Sequence, residues 1–599
     1  MTNDIIPHWS VDTIFPSLHS KEYDQSIEKL KGLINGCKSN IDELQKATSS
    51  NTSEIPVKCS TILKGLNEIF EFGGMMRAFL HSYITTDSRN ELAIKKNSEF
   101  ERLFLDVQNL HLNFQIWVGQ QSDQTIDLIV KTDKYCFEHE FALRNLKTQS
   151  KFLMSSDLEE LGNELSLSGT SAWNKLQGSI TSQLSVDFEL DGKTEKLPMP
   201  ALINLRTHPL EDVRKRAYDV EMNAWQTVEV PLAAALNGIK GATLTIEKRR
   251  GREDCLHSAI DSARIERKTL DVMIASMKDS LPQFHSYFEH KAKRIGKNQL
   301  DWWDLFAPDS SAAKTYTWTE TKDFILTHFH SFSPDLSAFA KRAFDEKWID
   351  AEQRDGKQGG AFCMGVPLKK ESRILCNFDG TLEQIGTIAH ELGHAFHNEC
   401  AYKANKTEFQ QDTPMTLAET ASIMCETIVT EALLRETKEK DDILLILGNS
   451  LIGSGQVIVD IYSRFLFEKE LFEQREKFEL SPAEISDIME RAQKEAYGQS
   501  INNAHLNKYA WTWKPHYYSS SSFYNFPYSF GLLFAKGLYS IYQDRGTAFI
   551  EDYTNLLSST GESSAETLAK RFNIDIQDRT FWDGSLSIIH KEIDLYKSL

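Results

Sequence analysis

The chain has 599 residues and a mass of 68.4 kDa, several times an ordinary domain, so it can bury a large core and enclose a deep cleft. Lys and Arg total 67 against 86 Asp and Glu, a formal charge of -19, which repels phosphate backbones and anionic lipid; neither nucleic acid nor a membrane is expected as a partner. Eight cysteines form no C-x-x-C pair, and the opening "MTNDIIPHWSVDTIF" has neither a basic nor an apolar leader region, so a reducing, cytoplasmic location is expected.

From about Tyr23 to Thr181 apolar residues recur at helical spacing, as in "IEKLKGLINGC". Residues 1–181 are therefore read as an N-terminal helical region and 182–599 as a second, catalytic region. The break comes at "SVDFELDGKTEKLPMPALINL", where alternation, Asp191-Gly192 and two prolines predict a hairpin. A helix follows over "EDVRKRAYDVEMNAW", and helical patterning resumes at Pro231. A glycine-rich stretch, "DGKQGGAFCMGVP", leads to a predicted short strand at Ile374–Phe378, a turn at Asp379-Gly380, and a helix whose start carries a capping-box pattern, Thr381 with Gln384. The most apolar segment, Ile443 to Tyr462, is broken by Asn449, Ser450, Ser454 and Gln456 and reads as a buried helix. Helical patterns dominate to the C-terminus, including a capping box at Ser481 and Glu484. The fold class is mainly α, with a small β-sheet next to the motif helix.

The motif is "TIAHELGHAFHNE", residues 387–399. His390 and His394 are about one helical turn apart on one face, so both imidazoles can reach one zinc ion. Glu391 projects about 100° away and is placed to take a proton from water held there. The match alone is not decisive, but the capped start and the buried side formed by Ile385, Ile388, Ala389, Leu392 and Phe396 support it. A catalytic zinc needs a third protein ligand and an open position. Metzincin spacing requires Gly at 397 and His at 400, where this chain has His397 and Cys400. Thermolysin-like and large-aminopeptidase spacings fall on Pro414 and Thr413 and also fail. The next acidic candidate is Glu419, in the helical stretch "TPMTLAETASIMCETIVTEALLRE".

"HELGHAFH" followed at this distance by "AETASIMCE" resembles the oligoendopeptidase F and thimet oligopeptidase family of zinc metallopeptidases. "WSVDTIFPSL", "WWDLFAP", "GKQGGAF" and "FNIDIQDRTFWDGSL" extend the resemblance over most of the chain. It implies a multi-helix zincin fold with a deep substrate channel, one zinc ion, and oligopeptide substrates. It also carries the third-ligand role onto Glu419. Ser422 and Glu426, three and seven residues on, could orient the histidines, although Glu426 reads equally as a solvated acid. His397 shares the face of His394 and is taken as near-site, since three ligands and water already fill a tetrahedral site.

The segment "WTWKPHYYSSSSFYNFPYSFGLLFAKGLY" is dense in aromatics and, on residues alone, fits core packing or channel lining. The family resemblance implies that His516 and Tyr528, with Tyr524, contact substrate and the oxyanion, and that Tyr517 lies at the substrate. A further family tyrosine is replaced by Ser521 in a run of four serines. The strand around Leu375, Cys376 and Asn377 stands where such enzymes bind substrate backbone by strand addition. Gly359 and Gly360 fit either a close backbone approach or a simple turn. The expected activity is zinc-dependent endopeptidase cleavage of short peptides with Glu391 as base. Its rivals are a peptidyl-dipeptidase or carboxypeptidase of the same fold, which needs a carboxylate anchor, and a non-catalytic peptide-binding protein.

Overall fold

The structure is a computed structural model that describes residues 5–46, 54–309, 315–519 and 521–599, with the side chain of Ser156 also outside the description. Helices dominate the chain, and the strands form two small sheets. By contact the chain divides into two compact units, one of residues 1–152, 314–432 and 541–573, the other of residues 153–313, 433–540 and 574–599. The cut expected at residue 182 falls inside the second unit. Composition changes there because a hairpin interrupts the helices, whereas the units are assembled from segments far apart in sequence.

In the first unit, the helix Lys21–Lys46 buries Leu30, Ile34, Cys37, Ile41 and Leu44, alternating four- and three-residue steps that keep one stripe inward. This stripe packs against Ile55–Thr86, in which Ile62, Leu63, Leu66, Ile69, Met76, Phe79 and Leu80 are all fully buried. Each such side chain contributes roughly 1.5–3 kcal/mol of burial. Val366, at the end of a strand, belongs to the same core, so the sheet is fastened to this helical layer.

The first sheet is the expected hairpin in the second unit: β1 (Ser185–Leu190) pairs antiparallel with β2 (Lys193–Pro198). Asp191 (φ 52°) and Gly192 (φ 74°) supply the left-handed turn pair that a two-residue hairpin requires. The second sheet, in the first unit, has the order β3 (Ile349–Asp350), β5 (Glu371–Leu375), β4 (Phe362–Val366). The predicted strand thus begins earlier and ends at Leu375. Beyond it Cys376 and Phe378 still donate backbone hydrogen bonds to Asp350 and Ala351, but pairing with β4 has stopped.

In the second unit the helix Glu211–Arg249 runs unbroken through Pro231, where the sequence reading placed a gap. One proline removes a single backbone bond, and the buried Leu232, Ala235, Leu236 and Ile239 hold the rest in place. Lys240 on this helix forms a buried ion pair with Glu468 at 2.6 Å. The apolar segment is helical from Lys440 to Arg475, with a π turn at Gln456–Asp460; by length and composition it is long and apolar enough to cross a membrane, and half of its most apolar window is buried in the protein. The Ser481 and Glu484 capping box forms as expected, a device worth about 1 kcal/mol.

Candidate active site

The motif helix runs Leu382–Lys403 directly after Thr381. The expected capping box is not made: Thr381 N–H donates to Asp379 Oδ1 at 2.9 Å, and Gln384 Oε1 is buried without a partner among the described residues. Gln384 N–H donates instead to the backbone oxygen of Thr381 at 3.1 Å. Ile385, Ile388, Ala389 and Leu392 are fully buried, which leaves the other face for His390 and His394. Their ring centroids are 4.9 Å apart at 80° between planes.

Glu419 stands between the short turn Met415–Ala418 and the helix Thr420–Glu436. Its Oε2 is 3.3 Å from His390 Nε2 and 3.4 Å from His394 Nε2, and the three donor atoms lie within 4.8 Å of one another. Ser422 Oγ, 2.8 Å from Glu419 Oε2, fixes that carboxylate. What lets the two helices come this close is Gly393, which the motif pattern does not single out: a Cβ there would sit 2.5 Å from Ala421 O and 2.6 Å from Ser422 Cα. A glycine in mid-helix was the signal available.

Glu426 Oε2 is 3.2 Å from His390 Nδ1, which favours the orienting role over the solvated one. Burial opposes a charged His390, but the Glu419 and Glu426 carboxylates outweigh it and push it up to about 10, while the two imidazoles hold Glu419 far below the ordinary carboxylate range despite its burial. Glu391 is 6% exposed, and its Oε2 has no partner among the described residues. Burial raises its pKa against the opposing pull of His390 and His394. A buried carboxylate oxygen with nothing to bond is matched to a ligand that brings its own proton. His397 is turned to other work: it is buried with Nε2 2.9 Å from Thr560 Oγ1, and burial followed by the neighbouring His394 brings it down to about 4. Glu399 pairs with Arg342 at 3.1 Å.

These groups form one wall of a cavity of about 1040 Å³ within the first unit. Phe362, Cys363 and Gly365 of β4 line it, as do Phe70, Arg77 and Phe104. The expected strand-addition residues are elsewhere. Leu375 and Cys376 are fully buried, and β5 is the central strand, paired on both sides. Asn377 donates its amide to Gln358 O (3.1 Å) and Gly360 O (2.8 Å), closing a loop in which Gly360 has φ 82°. Neither Gly359 nor Gly360 lines the cavity, which supports the simple-turn reading. The sheet edge at the cavity is β4, a strand hidden in the sequence by its glycine-rich approach.

In the second unit, His516 lies in the turn Pro515–Tyr518 and stacks on Tyr524, centroids 4.7 Å apart and planes 9° from parallel. Tyr528 OH donates to Tyr524 OH at 3.3 Å, so the three expected side chains form one cluster. His516 Nδ1 is buried without a partner among the described residues, and burial, then Arg464 and Lys514, lowers its pKa. Tyr517 is corrected: it is fully buried in the core, its ring packed against Phe467 with centroids 4.9 Å apart, so packing rather than substrate occupies it. In the serine run, Ser519 Oγ donates to Ser521 O at 2.9 Å, while Ser520 lies outside the described residues.

Residues 204–588 match peptidase family M3. Oligoendopeptidase F of Lactococcus lactis subsp. cremoris is 24% identical over 390 residues, 65% of this chain and 64% of the relative; the chain thus spans a little under two thirds of that relative's length. Oligopeptidase PepF of Bacillus subtilis is 19% identical over 598 residues, 99% of this chain and 87% of that one. The crystal structure of oligoendopeptidase-F from Enterococcus faecium superposes with a TM-score of 0.71 at 16% identity, covering 96% of this chain and 99% of that chain, so the fold is shared. With a motif helix and a distant glutamate converging as described, and most of the chain matched, this protein belongs to peptidase family M3.

Proposed function

We propose that the protein is a zinc metalloendopeptidase that hydrolyses internal bonds of short oligopeptides in the cytoplasm. The observation that carries this reading is the convergence of His390, His394 and Glu419 within 4.8 Å beside a buried Glu391 oxygen that has no partner among the described residues. Two imidazoles and a carboxylate are the donor set of a catalytic zinc with one open position. When bound, zinc supplies Lewis acidity toward water and the scissile carbonyl.

The chain's own residues do the rest. Glu391, held at a raised pKa by burial, accepts the proton of the attacking water and passes it to the leaving amine nitrogen. Ser422 and Glu426 keep Glu419 and His390 in position through the 2.8 Å and 3.2 Å contacts. His516 and Tyr528 act as hydrogen-bond donors to the developing oxyanion, with Tyr524 holding both. Substrate backbone adds to the free edge of β4, and Phe362, Phe70 and Phe104 receive apolar side chains.

An acetylated, amidated oligopeptide tests the assignment, since it offers neither terminus. Internal cleavage that is abolished by a chelator and restored by zinc is the expected result. Cleavage restricted to peptides with a free C-terminus favours the dipeptidase rival instead, and binding without turnover favours a peptide-binding protein.

A further inference from the structure

The second unit contains a cavity of its own, about 280 Å³, whose wall includes Arg206, Trp303, Asp460, Arg464, Lys514 and His516. Its volume is room for about nine waters, far more than a single ion needs. Asp460 comes from the π turn Gln456–Asp460, a helical irregularity that recurs at functional sites.

The charge around this cavity does not balance. Asp460 is bonded by Arg464 (2.5 Å) and Lys514 (3.3 Å), and Arg214, also in the wall, is bonded by Asp304 (2.9 Å). Arg206 forms no ion pair among the described residues: it rests on the Phe306 ring at 3.9 Å and feels the Glu221 and Asp460 carboxylates only through space. The remaining acid, Glu221, takes hydrogen bonds from Trp225 Nε1 (3.1 Å) and Asn507 Nδ2 (3.2 Å), and burial raises its pKa. Burial, followed by the neighbouring Arg464, pulls Lys514 down to about 8 against the opposing pull of Asp460.

The hydrogen-bond ledger leans the same way. Trp303 Nε1, Trp513 Nε1 and Arg214 Nε are buried donors without partners among the described residues, the ring nitrogen His516 Nδ1 is unpartnered there too, and all four residues line the cavity. Trp303 is 4% exposed and Arg214 3%. Among the described side chains of the wall, Asn507 Oδ1 is the one unpartnered oxygen. Buried donors are normally satisfied, so a cluster of them around a surplus cation calls for an acceptor that brings negative charge. The indole and phenyl surfaces beside them call for an apolar body attached to it.

We propose that this cavity binds a carboxylate carried on a small apolar body, with Arg206 as its ion-pair partner and the Trp303 indole N–H as a neutral donor. Two sources share that chemistry, a free organic acid and the C-terminal residue of a peptide. The second rests on the peptidase reading, in which His516 also faces substrate; the first does not.

Calorimetric titration of the full chain with benzoate and with benzamide tests the site without any turnover. Saturable benzoate binding, at least 10-fold tighter than benzamide and weakened at least 10-fold in Arg206→Met, is the expected result. Arg206 has no bonded acid to strand, and an unchanged circular dichroism melt confirms that the variant folds. A second arm compares kcat/KM for matched peptides ending in a free carboxylate or an amide. An acid preference that disappears in Arg206→Met identifies the peptide terminus as the source; equal cleavage of both peptides together with benzoate binding identifies a free acid. Benzoate bound no better than benzamide, or equally by Arg206→Met, combined with no acid preference, overturns the proposal whatever the peptidase activity proves to be.

Discussion

In the first unit the ligand cluster is fixed by backbone meeting backbone: Gly393 lets the motif helix touch Ala421 and Ser422, so Glu419 arrives beside two histidines already aligned by a helical turn. In the second unit His516 is held by one ring lying on another, Tyr524, with a second tyrosine bonded to that ring's hydroxyl, and it shares a cavity wall with Arg206, Arg464 and Lys514. The first arrangement tolerates almost no displacement. The second is held by a side-chain stack and a hydroxyl bond, each worth about 1 kcal/mol, and owes its chemistry to donor atoms more than to position.

That contrast sets the expected effects. Glu391→Gln removes the proposed general base beside the rigid cluster and should cost about 10³-fold in kcat with bound zinc retained, as measured by steady-state hydrolysis alongside metal analysis. Tyr528→Phe deletes one donor and should cost about 10²-fold in kcat, with KM moved only a few-fold; an equal rise in KM alone would assign it to ground-state binding. Gly393→Ala forces a Cβ against main-chain atoms that cannot rotate away, so it should destabilise by about 1–3 kcal/mol in denaturant melts and weaken zinc binding together.

The smallest effect concerns pH. His397 titrates near 4 when folded against an ordinary 6.5, so between those values the unfolded chain binds the extra proton. Stability should therefore fall as pH drops from 6.5 toward 4, and His397→Gln, which keeps a partner for Thr560, should flatten that decline. Equal slopes in the two proteins would show that His397 is not buried neutral.

The two clusters also differ in how far they could be read from the chain. His390, Glu391 and His394 are legible because one helix carries them at fixed spacing, and the Asp191-Gly192 hairpin is legible because two residues must adopt positive φ. Glu419 needed the family resemblance, since no local rule connects residues 25 positions apart across a turn. The sheet order was not legible: Leu375 and Cys376 look like an edge in sequence, yet Leu375 ends the central strand and Cys376 follows it, and only pairing partners distinguish edge from centre. Tyr517 and Tyr528 look alike in an aromatic run, and burial separates them. The unit division escaped for a related reason, because five chain crossings leave no mark in composition.

The account depends most on Glu419 completing the ligand set. Native mass spectrometry of the chelated and zinc-reloaded chain reads this directly: one zinc per wild-type chain, and at least 100-fold weaker loading of Glu419→Gln under the same conditions, with hydrolysis lost in step. Stoichiometric, tightly held zinc and undiminished cleavage by Glu419→Gln would contradict it, and would mean that the third ligand lies elsewhere.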